Sequence, residues 1–141
     1  MSPNAIESPA RPLRADLFRV EIAGADAGGF ASCAGLEARR SVLVFEEGGR
    51  DVPRLFPGGR VPARIVLERG FAHDPTLWRW FLDADPREAA IVLVDERGEE
   101  VRRWELSDAW PCAWIAPELD ASTSSVAIER VEIVCEDLRC P

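Results

Sequence analysis

The residues able to do chemistry here are few. His73 is the single histidine and stands beside Asp74, an acid–imidazole pair that could begin a nucleophile-activating set. Such a site also needs a placed Ser or Cys and an orienting acid, and nothing in the spacing supplies them. An Asp just ahead of a helix is explained by capping alone. Four cysteines, Cys33, Cys112, Cys135 and Cys140, lack the paired C-x-x-C spacing of zinc or thioredoxin-like chemistry, and His73 has no second imidazole as co-ligand. Cys33 and Cys112 sit among apolar neighbours and read as small hydrophobes. Cys135 and Cys140 invite a disulfide or metal reading, which a reduced cytosol disfavours. The glycines of GADAGGF match no phosphate loop: G-x-G-x-x-G is absent, and without lysine there is no Gly-Lys pair. No spacing singles out two carboxylates. Five tryptophans could stack sugars or bases, but Trp78 and Trp80 fall on a helix and Trp104 in a strand, so core or subunit-interface roles are expected. The expectation is therefore no catalytic residue, no cofactor and no metal.

Composition points the same way. The chain has 141 residues, 47% hydrophobic and 30% charged, enough for one domain with a real core. A net charge of -8 argues against nucleic acid or an anionic membrane surface as main partner. The first residues, MSPNAIESPARPLRAD, lack a basic start and apolar h-region, and no apolar run reaches the roughly 20 residues of a membrane helix. Folding in the cytoplasm is expected.

The elements that position these residues are mostly strands. Residues 1–15 hold Pro3, Pro9 and Pro12 and read as an N-terminal arm ahead of a domain spanning 16–141. From Leu17, LFRVEIA alternates with Phe18, Val20 and Ile22 on one face, and the GADAGG glycines close that strand. A second extended region, 30–45, breaks near Gly35 and ends in Ser41-Val42-Leu43-Val44-Phe45. Residues 46–59, EEGGRDVPRLFPGG, carry so many breakers that a long loop is predicted. In VPARIVLERG, Val61, Ala63, Ile65 and Leu67 share a face. Asp74 can cap and Pro75 can start a helix that ends near Asp85-Pro86, whose Leu77, Trp78, Phe81 and Leu82 recur at helical spacing and are assigned to the contact with the barrel. AAIVLVD and VRRWEL flank a Glu96-Arg97-Gly98-Glu99 turn and read as a hairpin. After DAWPCAWIAPEL, a last strand over 125–135 slips in phase: Val126 and Ile128 point one way, Val131, Ile133 and Cys135 the other. A bulge, or burial on opposite faces, would explain the slip. The fold class expected is mainly β, a barrel or sandwich of about seven strands with one packed α-helix.

A set of ordered phrases is more specific than the pattern. FRVEIAG, GGFASCAGLE, VFEEGG, RLFPGG, IVLERG, LWRWF, IVLVDERGEEVRRWEL, AWPCAW, PELDA and VAIERVEIVCEDL follow one another over residues 16–138. In that order they resemble the phage tail tube protein family, which includes the T4-like tail tube and the inner-tube subunits of extracellular contractile injection systems. The family's tyrosine before Glu-Gly-Gly is replaced around Phe45 and Glu46, and its His-Glu-Gly-Leu corresponds to Cys135-Glu136-Asp137-Leu138. These departures leave a tube-initiating or capping paralogue open beside the main tube subunit.

The resemblance implies a tail-tube-like β-barrel with one helix and a structural, non-enzymatic role. Six copies would form a ring, and rings would stack into the hollow inner tube of a contractile phage tail or injection system. The implied partners are other copies of the chain, a sheath protein outside, baseplate or hub and terminator proteins at the ends, and protein cargo or DNA in the lumen. Assembly would be cytoplasmic, within a particle that can be released, and the subunit would not insert into a membrane. The 46–59 segment is the candidate stacking contact between rings, with Glu46, Glu47, Arg50, Arg54 and Arg60 supplying both charge signs. Six copies at -8 carry -48 per ring, part of which is expected to face the lumen. A monomeric ligand-binding β-sandwich using its tryptophans is the reading from a different class.

Overall fold

The computed structural model describes residues 18–70, 74–122 and 127–141. The N-terminal arm, His73 and Val126 lie outside the described residues. Ten strands and one helix occur among those described. The strands are β1 (Phe18–Ile22), β2 (Ala25–Phe30), β3 (Ser32–Ala34), β4 (Arg39–Phe45), β5 (Arg54–Val61), β6 (Ala63–Gly70), β7 (Arg87–Val94), β8 (Glu100–Ile115), β9 (Ile128–Cys135) and β10 (Asp137–Arg139). The helix, α1, is Thr76–Asp83.

Eight strands make one antiparallel sheet along the path β2-β1-β7-β8-β9-β6-β3, with β10 added beside β8. The path closes on itself. Its two end strands, β2 and β3, are consecutive in sequence and separated only by Ala31, whose N–H donates to the Glu68 carbonyl of β6 at 2.9 Å. β2 pairs only with β1 and β3 only with β6, so the two ends of the sheet are brought together by the chain itself and not by a ladder between them.

Of the glycines expected to end the first strand, Gly24 does so in the two-residue turn Ala23-Gly24, both at positive φ as such a hairpin requires, while Gly28 and Gly29 lie in β2. The tryptophan segment after VRRWEL is no separate piece. It is the far half of the 16-residue β8, which pairs β7 through Ala109 and β9 from Trp110. Proline is tolerated there because the register shifts between Pro111 and Ala113, where no ladder N–H is needed.

Alternation fixes the inside. Val20, Ile22, Ile65, Leu67, Ile91, Leu106, Val131 and Ile133 form one core cluster and are buried. Val61 does not join Ala63, Ile65 and Leu67, because it belongs to β5 and is exposed. The backbone break at Gly35 has a steric cause. Its φ is +87°, and a Cβ there would collide with the Arg64 carbonyl oxygen as the chain passes over β6.

β9 carries no bulge. Glu129, Val131, Ile133 and Cys135 all face inward and Ile128 faces out, so the slip in the sequence pattern is an acidic residue occupying a core position.

α1 begins where Asp74 Oδ1 accepts hydrogen bonds from the Thr76 N–H at 3.0 Å and hydroxyl at 2.6 Å. It ends with Ala84 in the left-handed region, donating to the Trp80 carbonyl. The helix lies on β8.

The largest departure is at 46–59. Residues 54–61 form β5, antiparallel to β4, and these two strands pair only with each other. The expected loop is a projecting hairpin whose non-strand tip is only 46–53. Pro57, Gly58 and Gly59 fit because they sit at a bulge opposite Ser41. A side chain on Gly58 would meet the Ser41 carbonyl at 2.8 Å.

Candidate assembly surface

The hairpin register brings Val42 opposite Pro57, Leu43 opposite Phe56, Val44 opposite Leu55 and Phe45 opposite Arg54. Cross-strand partners share a face. Leu43, Phe45, Phe56 and Arg54 therefore occupy one side, where the two phenyl rings meet edge to face with centroids 5.4 Å apart. Val42, Val44, Leu55 and Pro57 occupy the other. Every residue of β4 and all of β5 except Gly58 are exposed, although a two-stranded ribbon is at best marginally stable alone in water.

Of the five charged residues expected in the stacking contact, Glu46 stands exposed just past β4, and Glu47 pairs with Arg54 at 2.9 Å across the tip. The Arg50 N–H donates to the Glu47 carbonyl at 3.3 Å, and its exposed side chain sits at the tip. Arg60 is engaged within the subunit: its guanidinium is 2.8 Å from the Asp137 carboxylate and donates to the Leu138 carbonyl at 2.9 Å, tying the hairpin base to β10. Arg40 clasps the base from the other strand, donating to the Gly58 carbonyl at 2.9 Å.

The helix residues assigned to the barrel contact divide. Leu77 is fully buried. Trp78 meets Trp114 edge to face with centroids 4.9 Å apart and stacks on Phe81 at 5.7 Å, remaining partly exposed. Leu82 faces solvent at 61% exposure. Trp80 is the buried anchor that the helical spacing did not single out; its indole N–H donates to the Asp85 carbonyl at 2.9 Å. The signal was its three-residue step from Leu77.

Glu129 is the second residue sequence reasoning missed. Its Oε2 accepts from Arg69 Nε at 3.0 Å, and its Oε1 accepts from Trp114 Nε1 at 2.7 Å, inside the barrel. The Arg69 guanidinium also lies over the Phe30 ring at 5.0 Å. The phase slip in the last strand was its trace in the sequence.

Little here can do covalent chemistry. A shallow pocket of about 220 Å³ on the outer face of β1, β7 and β8 is lined by Glu21, Gly24, Glu88, Ala89, Ala90, Arg103 and Glu105. Arg103 is held by Glu100 at 2.7 Å and Glu21 at 2.9 Å, which raises its pKa and holds Glu100 below the usual carboxylate range. No nucleophile with a base lines it. The four cysteines are free, and burial pushes the Cys33 thiol up to about 12, away from thiolate reactivity. Among the described residues no cluster of His, Cys, Asp and Glu could hold a metal, and no helix is long and apolar enough to cross a membrane.

Residues 14–139 match the family model of the T4-like virus tail tube protein gp19. Solved structures share the fold. A chain of the sheath–tube complex of the extracellular contractile injection system PVC, in the extended state, superposes with a TM-score of 0.82 at 20% identity, covering 100% of this chain and 98% of that one. The tube-terminating cap of the anti-feeding prophage gives 0.79 at 22% identity, covering 93% and 91%. A chain of the anti-feeding prophage baseplate gives 0.75 at 25% identity, covering 100% and 97%. No curated protein sequence matches.

Proposed function

The chain belongs to the T4-like virus tail tube protein family, and on that premise we propose that it is a structural subunit of the inner tube of a contractile phage tail or injection system. Six copies close into a ring, and rings stack head to tail into a hollow conduit for protein cargo or DNA. A sheath surrounds the tube, and baseplate or hub and terminator proteins bound its ends. The single observation that carries this reading is the hairpin of β4 and β5. Eight strands pair into the sheet of the body, while one separate ribbon stands with its apolar side chains exposed, as a head-to-tail contact requires.

The tip and the strand that follows, with Glu46, Glu47, Arg50 and Arg54, form the contact between successive rings in this reading, and Arg60 holds the hairpin base at the right angle to reach it. Part of the ring's acidic charge lines the lumen, where it repels acidic cargo. Assembly takes place in the cytoplasm. Removing Gly48 to Pro57 tests the reading, because no barrel strand pairs with this segment. The deletant stays folded and forms no tubes under negative-stain microscopy; tubes of normal length from it would overturn the assignment.

A tube-initiating or capping ring is the second reading, favoured by the likeness to a tube-terminating cap. Such a subunit forms single rings that do not elongate alone.

A further inference from the structure

We propose that β10 is a latch for the hairpin: by holding Arg60 it fixes the angle at which the β4–β5 ribbon stands on the body of the free subunit, so that the ribbon is set before assembly begins. The inference rests on the tube reading and adds how the subunit is prepared for it.

No strand of the body pairs with the ribbon, so its angle is left to its two roots. One root is a single residue. β5 ends at Val61 and β6 starts at Ala63, with Pro62 alone between them. A proline ring fixes φ but leaves ψ to turn, which makes this junction a hinge. The other root is the link 35–38, held down by Gly35, which passes over the Arg64 carbonyl, and by Leu36, which packs on the core. Both roots sit at the start of β6. Two neighbouring points define an axis and leave rotation about it free.

Arg60 supplies the third point. Ala63 pairs with Cys135, so β10, which begins two residues later, lies beside the base of the ribbon. There Arg60 Nη2 donates to the Leu138 carbonyl at 2.9 Å and stands 2.8 Å from Asp137 Oδ1. That carboxylate oxygen is buried and accepts no hydrogen bond, so the charge of Arg60 is what compensates it. The seat is firm. Leu138 is buried in the core cluster, β10 pairs with β8 from Asp137 to Arg139, and the Glu136 N–H donates to the Ser107 carbonyl at 3.0 Å. An arm already held at its working angle avoids the ordering cost that a swinging arm meets on association.

The test uses the full chain with two spin-labelled residues, one in place of Arg50 at the exposed tip and one in place of Glu96 in the exposed turn of the body, kept below the concentration at which it assembles. Arg60→Gln removes the charge, and Arg60→Lys keeps it. Pulsed electron paramagnetic resonance is expected to give a narrow distance distribution for the parent and for Arg60→Lys, and a broad one for Arg60→Gln. Without labels, sedimentation should show Arg60→Gln assembling only at about tenfold higher concentration, the scale of one charge-assisted hydrogen bond, while Arg60→Lys stays within about threefold of the parent. Circular dichroism checks that each is folded; if Arg60→Gln is not, Asp137→Asn takes its place in both measurements. A charge-removing variant as narrow as the parent, a parent that is itself broad, or a broadened variant that assembles at the parent's concentration would each overturn the latch and leave the tube reading intact. Unsubstituted protein that forms neither rings nor tubes would remove the tube reading and the latch with it.

Discussion

Replacing Glu129 with leucine isolates Arg69 inside the barrel. The two side chains retain 8% and 2% of their exposure, so neither is relieved by solvent when the other is lost. Breaking a buried pair from one side costs about 3–5 kcal/mol, because the remaining charge has no counterion and little water. Trp114 Nε1 loses its acceptor at 2.7 Å at the same time, an unmade hydrogen bond of about 1–3 kcal/mol. The leucine regains part of this through its own burial, about 1.5–3 kcal/mol, so the expected net loss is about 3 kcal/mol. With a urea slope of about 1–3 kcal/mol per molar, the unfolding midpoint should fall by about 1–3 M. Arg69→Leu together with Glu129→Leu removes both charges, a replacement that by itself is often neutral or favourable, and leaves only Trp114 Nε1 without its acceptor, so its loss should not exceed the about 1–3 kcal/mol of that hydrogen bond and should be smaller than that of the single variant. Far-UV circular dichroism in urea, below the assembly concentration, reads all three proteins. A double variant as unstable as the single one, or a single-variant loss under about 1 kcal/mol, would refute the reasoning.

Gly35→Ala should destabilise by more than the roughly 1 kcal/mol of an ordinary left-handed glycine, because its Cβ also strikes the Arg64 carbonyl; thermal unfolding beside Gly49→Ala, where φ is +87° with open space, separates the two effects. Trp80→Ala should cost about 3–5 kcal/mol and Leu82→Ala under about 0.5, reversing what the helical spacing alone suggests; urea midpoints check the order. The Cys33 thiol ionises near 9.0 when exposed and near 12 when folded. Its stabilising effect is therefore complete below pH 9 and lost as pH rises toward 12, at up to about 1.4 kcal/mol per pH unit. Cys33→Val should flatten that alkaline slope in denaturation series from pH 8 to 11, and an unchanged slope would contradict it. Cys140, exposed, should react with a thiol reagent long before Cys33 or Cys135 in the native protein.

The sequence by itself determined the class. Period-two alternation in 18–22 and 63–67 placed two core strands, because a half-buried strand must alternate whatever it pairs with, and the apolar run 89–94 was placed by the turn that follows it. The helix over 76–83 and the turn over 96–99 were legible for the same local reasons. The ordered phrases pointed to the family that the match over 14–139 bears out.

What only the tertiary structure decided involves partners far apart in the chain. Glu129 broke the pattern of its strand because its counterion is Arg69, sixty residues away, and an alternation count sees one strand at a time. Trp80 outranks Leu82 because β8 lies under one side of α1, and periodicity gives a stripe without saying which edge is covered. The glycines and prolines of 46–59 read as a loop because their usual effect is to break strands. At Gly58 the bulge against Ser41 turns that lack of bulk into a requirement, and the hairpin it permits is the surface on which the assembly reading rests.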